Sequence, residues 1–248
     1  MKEVLELIEK KKREFAKLPF FEYLADENID PRQRLVWAPC FVHVAMSLAE
    51  LYKYVLRKEP SDNLVQKIIN KHTHEEDYHW VWFLEDIEKL GFNYTNNFID
   101  TTKFLWSKSI QKTRLLPYQL FSLCTTFKEP ILRLIIIEAI EGTSNVGLPL
   151  IAIVAQELKE ITGKDYLYFN DNHVEAEESH EIIIGNTHLL IDNLTLESEQ
   201  KETASYIVNM VFSAFSECLN ELTIYAQNHS TEKFYVKTNH ETKSLIFT

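Results

Sequence analysis

Glycine and proline are scarce in this chain, with five Gly and seven Pro in 248 residues. Turn-rich β architectures draw heavily on both, so the shortage favours long helices. Cysteine is scarcer still. Cys40, Cys124 and Cys218 stand far apart and form no CxxC pair, which argues against a disulfide framework or a cysteine-type zinc site. Basic charge is also short: 26 Lys and Arg against 37 Asp and Glu leave a net charge of −11. Phosphate backbones need a basic surface, so nucleic acid is not the expected partner, whereas small anionic substrates remain allowed. The opening stretch, MKEVLELIEKKKREF, is charged throughout and has no apolar block of the signal-peptide kind. A reducing cytoplasm is the expected location.

Hydrophobic residues make up 45% of the chain and charged residues 25%, a balance that supports a packed core rather than global disorder. One apolar run, ILRLIIIEAIEGTSNVGLPLIAIVA at 131–155, has the length of a membrane span. It contains Arg133, Glu138 and Glu141, and charges at mid-bilayer are expensive, so a buried helix and no membrane are expected. Apolar spacing, caps and breakers predict helices over about 2–17, 31–58, 61–90, 100–112, 117–127, 130–163, 172–192 and 197–228. Asp100 is the expected cap of the fourth. Gly142, Gly147 and Pro149 are expected to kink or widen the long apolar helix. The predicted fold is a single all-α domain over 1–248, a bundle of seven to eight helices with a polar tail from about 230.

Two stretches a hundred residues apart share one pattern. HTHEEDYH (72–79) and HVEAEESH (173–180) both read His-x-x-x-Glu-x-x-His. A helical residue turns about 100°, so positions i, i+4 and i+7 return to nearly one face. Each stretch then presents two imidazoles and a carboxylate as a stripe: His72, Glu76 and His79, and His173, Glu177 and His180. A single stripe is commonly a solvated, salt-bridged face. Two stripes, with Glu138 and Glu141 in an otherwise greasy helix, form a set that metal ions would explain. Buried ionised carboxylates need a compensating cation or hydrogen bonds. Imidazole and carboxylate are ligands of first-row metals, and helical bundles build such sites from inward-facing side chains on different helices. The HExxH zinc-protease motif is absent, because Tyr78 stands where its second His would be. Tyr78, Trp80 and Phe83 are candidate substrate contacts, with core packing as the plain alternative. Arg133 is a candidate partner for a substrate carboxylate, with a surface ion pair as its alternative.

At these residues the chain resembles the haem-oxygenase-like diiron oxidases and oxygenases, a family of seven-helix bundles. His173, Glu177 and His180 match the family's His-x-x-x-Asp/Glu-x-x-His helix. His79 matches the His of an earlier pair spaced by seven residues, and Glu141, in IEG, matches a middle-helix Glu followed by a small residue. The family's first Glu is replaced here by His72, which leaves open whether His72 or Glu76 is the ligand on that helix. The resemblance implies an oxidoreductase with two Fe(II) ions and O2 as co-substrate, acting on a small, amino-acid-like molecule. Its implied metal ligands are His72, His79, Glu141, His173, Glu177 and His180, with Glu76 and Glu138 as alternates. The His-for-Glu change gives a closer likeness to the nitrile-forming branch of aetokthonotoxin biosynthesis, which rearranges brominated tryptophan. Oligomeric state is left open, a homodimer included.

Two other readings of the same residues stand beside it. A ferritin-like diiron protein would use Glu76-x-x-His79 and Glu177-x-x-His180 with Glu50 and Glu141. A metal-free, thiaminase-like hydrolase would use Cys124 as nucleophile.

Overall fold

The longest helix explains the architecture. In a computed structural model, which describes residues 1–92, 97–170 and 195–231, α9 runs unbroken over Pro130–Thr162. Pro130 occupies the first helical position, where its missing N–H has no cost, and Gly163 ends the helix with φ +69° in the left-handed region. Leu132–Ile137, Ala139 and Ile140 are all buried, so this part of α9 is packed on every side. The helical conformation continues through Gly142, Gly147 and Pro149, where the sequence suggested a kink.

The other helices are α1 Lys2–Phe15, α2 Pro19–Ala25, α3 Pro31–Arg34, α4 Val42–Glu50, α5 Leu64–Glu75, α6 His79–Lys89, α7 Phe98–Leu105, α8 Gln111–Thr126 and α10 Ser198–Asn228. No strand occurs among the described residues, so the chain is all-α. α10 packs along α8 and α9, α1 lies across α9 and α10, α5 rests on α9, and α4 bridges α8 and α6. Buried apolar side chains from Met1 to Ala226 join in one cluster. Gly142 marks the tightest approach: an added Cβ would stand 3.0 Å from Ile8 and 3.2 Å from Phe212. The small residue after Glu141 is therefore required by α1 and α10 packing closely on α9.

Several expected boundaries moved, each for a local reason. The helix predicted over 31–58 is divided into α3, a 3-10 turn at Ala38–Phe41 containing Pro39, α4, and a π-turn at Leu51–Leu56. The next helix is capped by Asn63, whose side chain accepts from the Gln66 N–H at 2.9 Å. It breaks into a 3-10 turn at Glu76–Tyr78 before resuming as α6. Asn97, not Asp100, caps α7, which stops at Leu105. α8 begins at Gln111 because Glu221 on α10 accepts from the backbone N–H groups of Lys112 and Thr113 at 2.9 and 2.8 Å; Pro117 lies inside the helix. α10 starts with a capping box between Glu197 and Gln200, close to its expected limit.

Among the described residues two stretches are long and apolar enough to cross a bilayer, Pro31–Leu56 as well as Pro130–Thr162. Half of the first window and 56% of the second are buried inside the fold, as core helices also are. The second His-x-x-x-Glu-x-x-His stretch and the polar tail beyond Thr231 lie outside the described residues.

Candidate metal centre

The first stripe faces inward. His72, Glu76 and His79 are only 7%, 8% and 7% exposed, while Tyr78 beside them is 69% exposed. His74 is exposed too, and pairs with Glu59 and Asp77 at the surface. The helical spacing thus sorted the inward residues from the outward ones.

The break at Glu76–Tyr78 splits the stripe in two. A 3-10 turn advances about 120° per residue instead of about 100°, so three such residues add roughly 60° between His72 and His79. His72 meets α9, where its Nε2 lies 3.3 Å from Oε1 of Glu141. His79 instead pairs through Nδ1 with Glu76 at 2.8 Å and stacks on Trp82 with ring centroids 4.9 Å apart. Arg57 holds the break open. Its guanidinium donates to the Thr73 carbonyl and hydroxyl, and to Asp77 Oδ1 at 2.6 Å. A carbonyl at a helix end lacks its intrahelical donor, and Arg57 supplies one.

Tyr52 completes the inner cluster. Its hydroxyl lies 3.5 Å from Oε1 of Glu141, and its ring meets His72 edge-on with centroids 5.3 Å apart. Glu138, one turn before Glu141, is half-buried with its Oε1 screened from solvent.

The donor geometry can be tested against a metal ion. Metal–nitrogen and metal–oxygen bonds of about 2.0–2.2 Å, at angles of about 90–109°, set two ligands of one ion roughly 2.8–3.6 Å apart. The 3.3 Å between His72 and Glu141 falls in that range. The Glu76–His79 contact fits a different part: a carboxylate on one ring nitrogen fixes the tautomer so that the other nitrogen can ligate. Two donors do not make a site, and among the described residues no group of three or more His, Cys, Asp or Glu side chains is placed to hold an ion. The donors present fit part of a transition-metal ligand set. His173, Glu177 and His180, the expected remainder, fall outside the described residues.

The other sequence candidates are placed as follows. Phe83 is fully buried against Tyr168 and Phe169, with centroids 5.2 and 6.1 Å away, and so packs the core. Trp80 is half-buried and Tyr78 points to solvent. Arg133 is buried and donates to the Val55 carbonyl at 2.9 Å and the Cys124 carbonyl at 3.0 Å. It thereby closes the ends of two helical segments. Glu50, which a ferritin-like arrangement needs as a ligand, is exposed at the end of α4. Cys124 is fully buried, and burial pushes its thiol up to about 12, far from the thiolate that a nucleophile requires.

Three residues escaped the sequence reading: Tyr52, Arg57 and Asp86. Asp86 is fully buried on α6 and accepts from three successive backbone N–H groups, those of Leu167, Tyr168 and Phe169, at 2.9, 2.7 and 3.1 Å. It ties the helix of the first stripe to the chain just ahead of the second. Its signal was present, since 72, 76, 79, 83, 86 and 90 form one inward series and an acid there is anomalous. Tyr52 and Arg57 had no such signal. No protein-family model and no curated protein matches this chain.

Proposed function

We propose that the protein is a non-haem diiron oxidoreductase that uses O2 to oxidise a small, amino-acid-like molecule. The observation that carries this reading is the His72–Glu141 contact. An imidazole and a carboxylate from separate helices meet at 3.3 Å with side chains only 8% and 12% exposed. Imidazole and carboxylate are both ligands of first-row metals, and their separation suits two ligands of one ion.

In this reading His72, His79 and Glu141 are ligands from the first half of the chain, and His173, Glu177 and His180 supply the second half. Glu138 is the additional carboxylate. Glu76 acts from behind, accepting the His79 Nδ1 proton and so presenting Nε2 for ligation. Bound ferrous iron would supply electrons to O2, and the substrate, as it is oxidised, would supply the remainder. The chain's own part is to exclude water with the apolar flanks of α9 and to keep the ligands fixed before oxygen arrives. The finer proposal is oxidative rearrangement of tryptophan or its brominated form to an indole nitrile, and it rests on the likeness to that branch of the family.

Anaerobic loading with Fe(II), then exposure to O2 with tryptophan, brominated tryptophan and other amino acids, tests both levels. The expected result is two irons per chain and oxygen uptake that depends on one of these amino acids. Failure to bind iron overturns the general reading. Uptake with other amino acids but neither form of tryptophan overturns only the finer one.

A further inference from the structure

We infer that Tyr52 is a positioning residue for the His72–Glu141 pair, placed there by the π-turn at Leu51–Leu56. Its consequence for metal binding rests on the diiron reading; its contact with the pair does not.

The π-turn is defined by its closing bond, in which the Arg57 N–H donates to the Tyr52 carbonyl at 2.9 Å. π-turns are rare and are found frequently at functional sites. Here the wider turn leaves Leu51, Tyr52 and Leu56 buried on one side, with Tyr54 72% exposed on the other. Two arginines secure the irregularity. Arg57 leaves the turn to hold the 3-10 break of the first stripe, and Arg133 reaches back from α9 to the Val55 carbonyl. The π-turn, the 3-10 break and α9 are therefore locked together around one spot.

At that spot Tyr52, only 2% exposed, aims its hydroxyl at Glu141 Oε1 and lays its ring edge against His72. The phenol donates to Oε1, the same carboxylate oxygen that faces His72, and so holds that oxygen toward the imidazole. The ring narrows the rotation open to the imidazole. A group that orients a ligand without being one commonly changes metal affinity by about 10–100-fold when removed. At 3.5 Å the hydroxyl contact is long, so the lower end of that range applies.

Tyr52→Phe tests the inference, because it keeps the ring and removes only the hydroxyl. The first measurement uses metal-free protein: unfolding midpoints of Tyr52→Phe, Glu141→Gln and the double variant. Non-additive shifts are expected, and strictly additive shifts would overturn the contact. The second uses Co(II) alone as the probe, read by its visible absorption bands and by titration. Tyr52→Phe should bind about tenfold more weakly, with altered bands, while its fold is retained. Identical bands and affinity in both proteins would overturn the positioning role. If the wild-type chain binds no Co(II), the metal reading falls and the metal-free cycle alone decides for or against Tyr52.

Discussion

Residues 51–91 and residues 130–162 carry the two halves of the same contact by opposite means. α9 is continuous from end to end, Pro149 included: Pro130 starts it, Gly163 stops it, and Glu141 takes its place by helical spacing. The segment before it leaves α-helical geometry at Leu51–Leu56, through the non-helical stretch 57–63, and again at Glu76–Tyr78, and the first and last of these flank side chains of the candidate site. Arg57 and Arg133 supply hydrogen bonds that these irregular turns need. The regular helix provides the floor of the site. The irregular segment does the aiming, and it depends on a few strong polar contacts rather than on periodicity.

That contrast makes the irregular segment brittle at named residues. Asp86→Ala would leave three backbone donors without their shared acceptor, a loss of about 3–5 kcal/mol in urea unfolding. Asp86→Asn should be milder and reveals the charge. Burial raises the Asp86 carboxyl above its ordinary 3.8, against the opposing pull of the backbone N–H groups of Leu167, Phe169 and Tyr168, which donate to it, and the charge of Lys89. The native state therefore holds this proton more tightly than the unfolded chain does. The contribution of Asp86 is greatest below 3.8 and declines as pH rises through the raised native value. The deficit of the Asn variant should accordingly narrow over that window, and a deficit that widens would contradict the sign.

Arg57→Ala should cost about 2 kcal/mol, because it strips the Thr73 carbonyl and Asp77 of their charged donor. Far-ultraviolet circular dichroism should remain helical, since only the break is released. On the regular side the expected weakness is steric. Gly142→Val should lower stability by about 1–3 kcal/mol in a thermal melt, as its side chain would press on Ile8 and Phe212. Tyr78→Ala closes the series with an effect within about 0.5 kcal/mol, given its exposure.

The sequence made α9, α10 and the inward face of the first stripe legible, because all three are written in spacing, caps and breakers. It did not reveal the π-turn, since LYKYVL reads equally well as ordinary helix. The 3-10 break was hidden for a related reason: Arg57, which hydrogen-bonds across it to Thr73 and Asp77, is far enough away in the chain that only tertiary contact joins them. Arg133 looked available for a substrate because its carbonyl partners are backbone atoms, which no side-chain pattern announces. Asp86 could have been found, as an acid in an inward series. Spacing located the donors, and contacts remote in sequence decided where each one points.

The central claim is that His72 and Glu141 meet because they share a cation. Anaerobic Fe(II) titration of the wild-type chain beside Glu141→Ala tests it most directly, with bound iron counted per chain. The account predicts two irons in the wild type and at least one lost in the variant, with the variant still folded. Equal iron binding in the two proteins would contradict it.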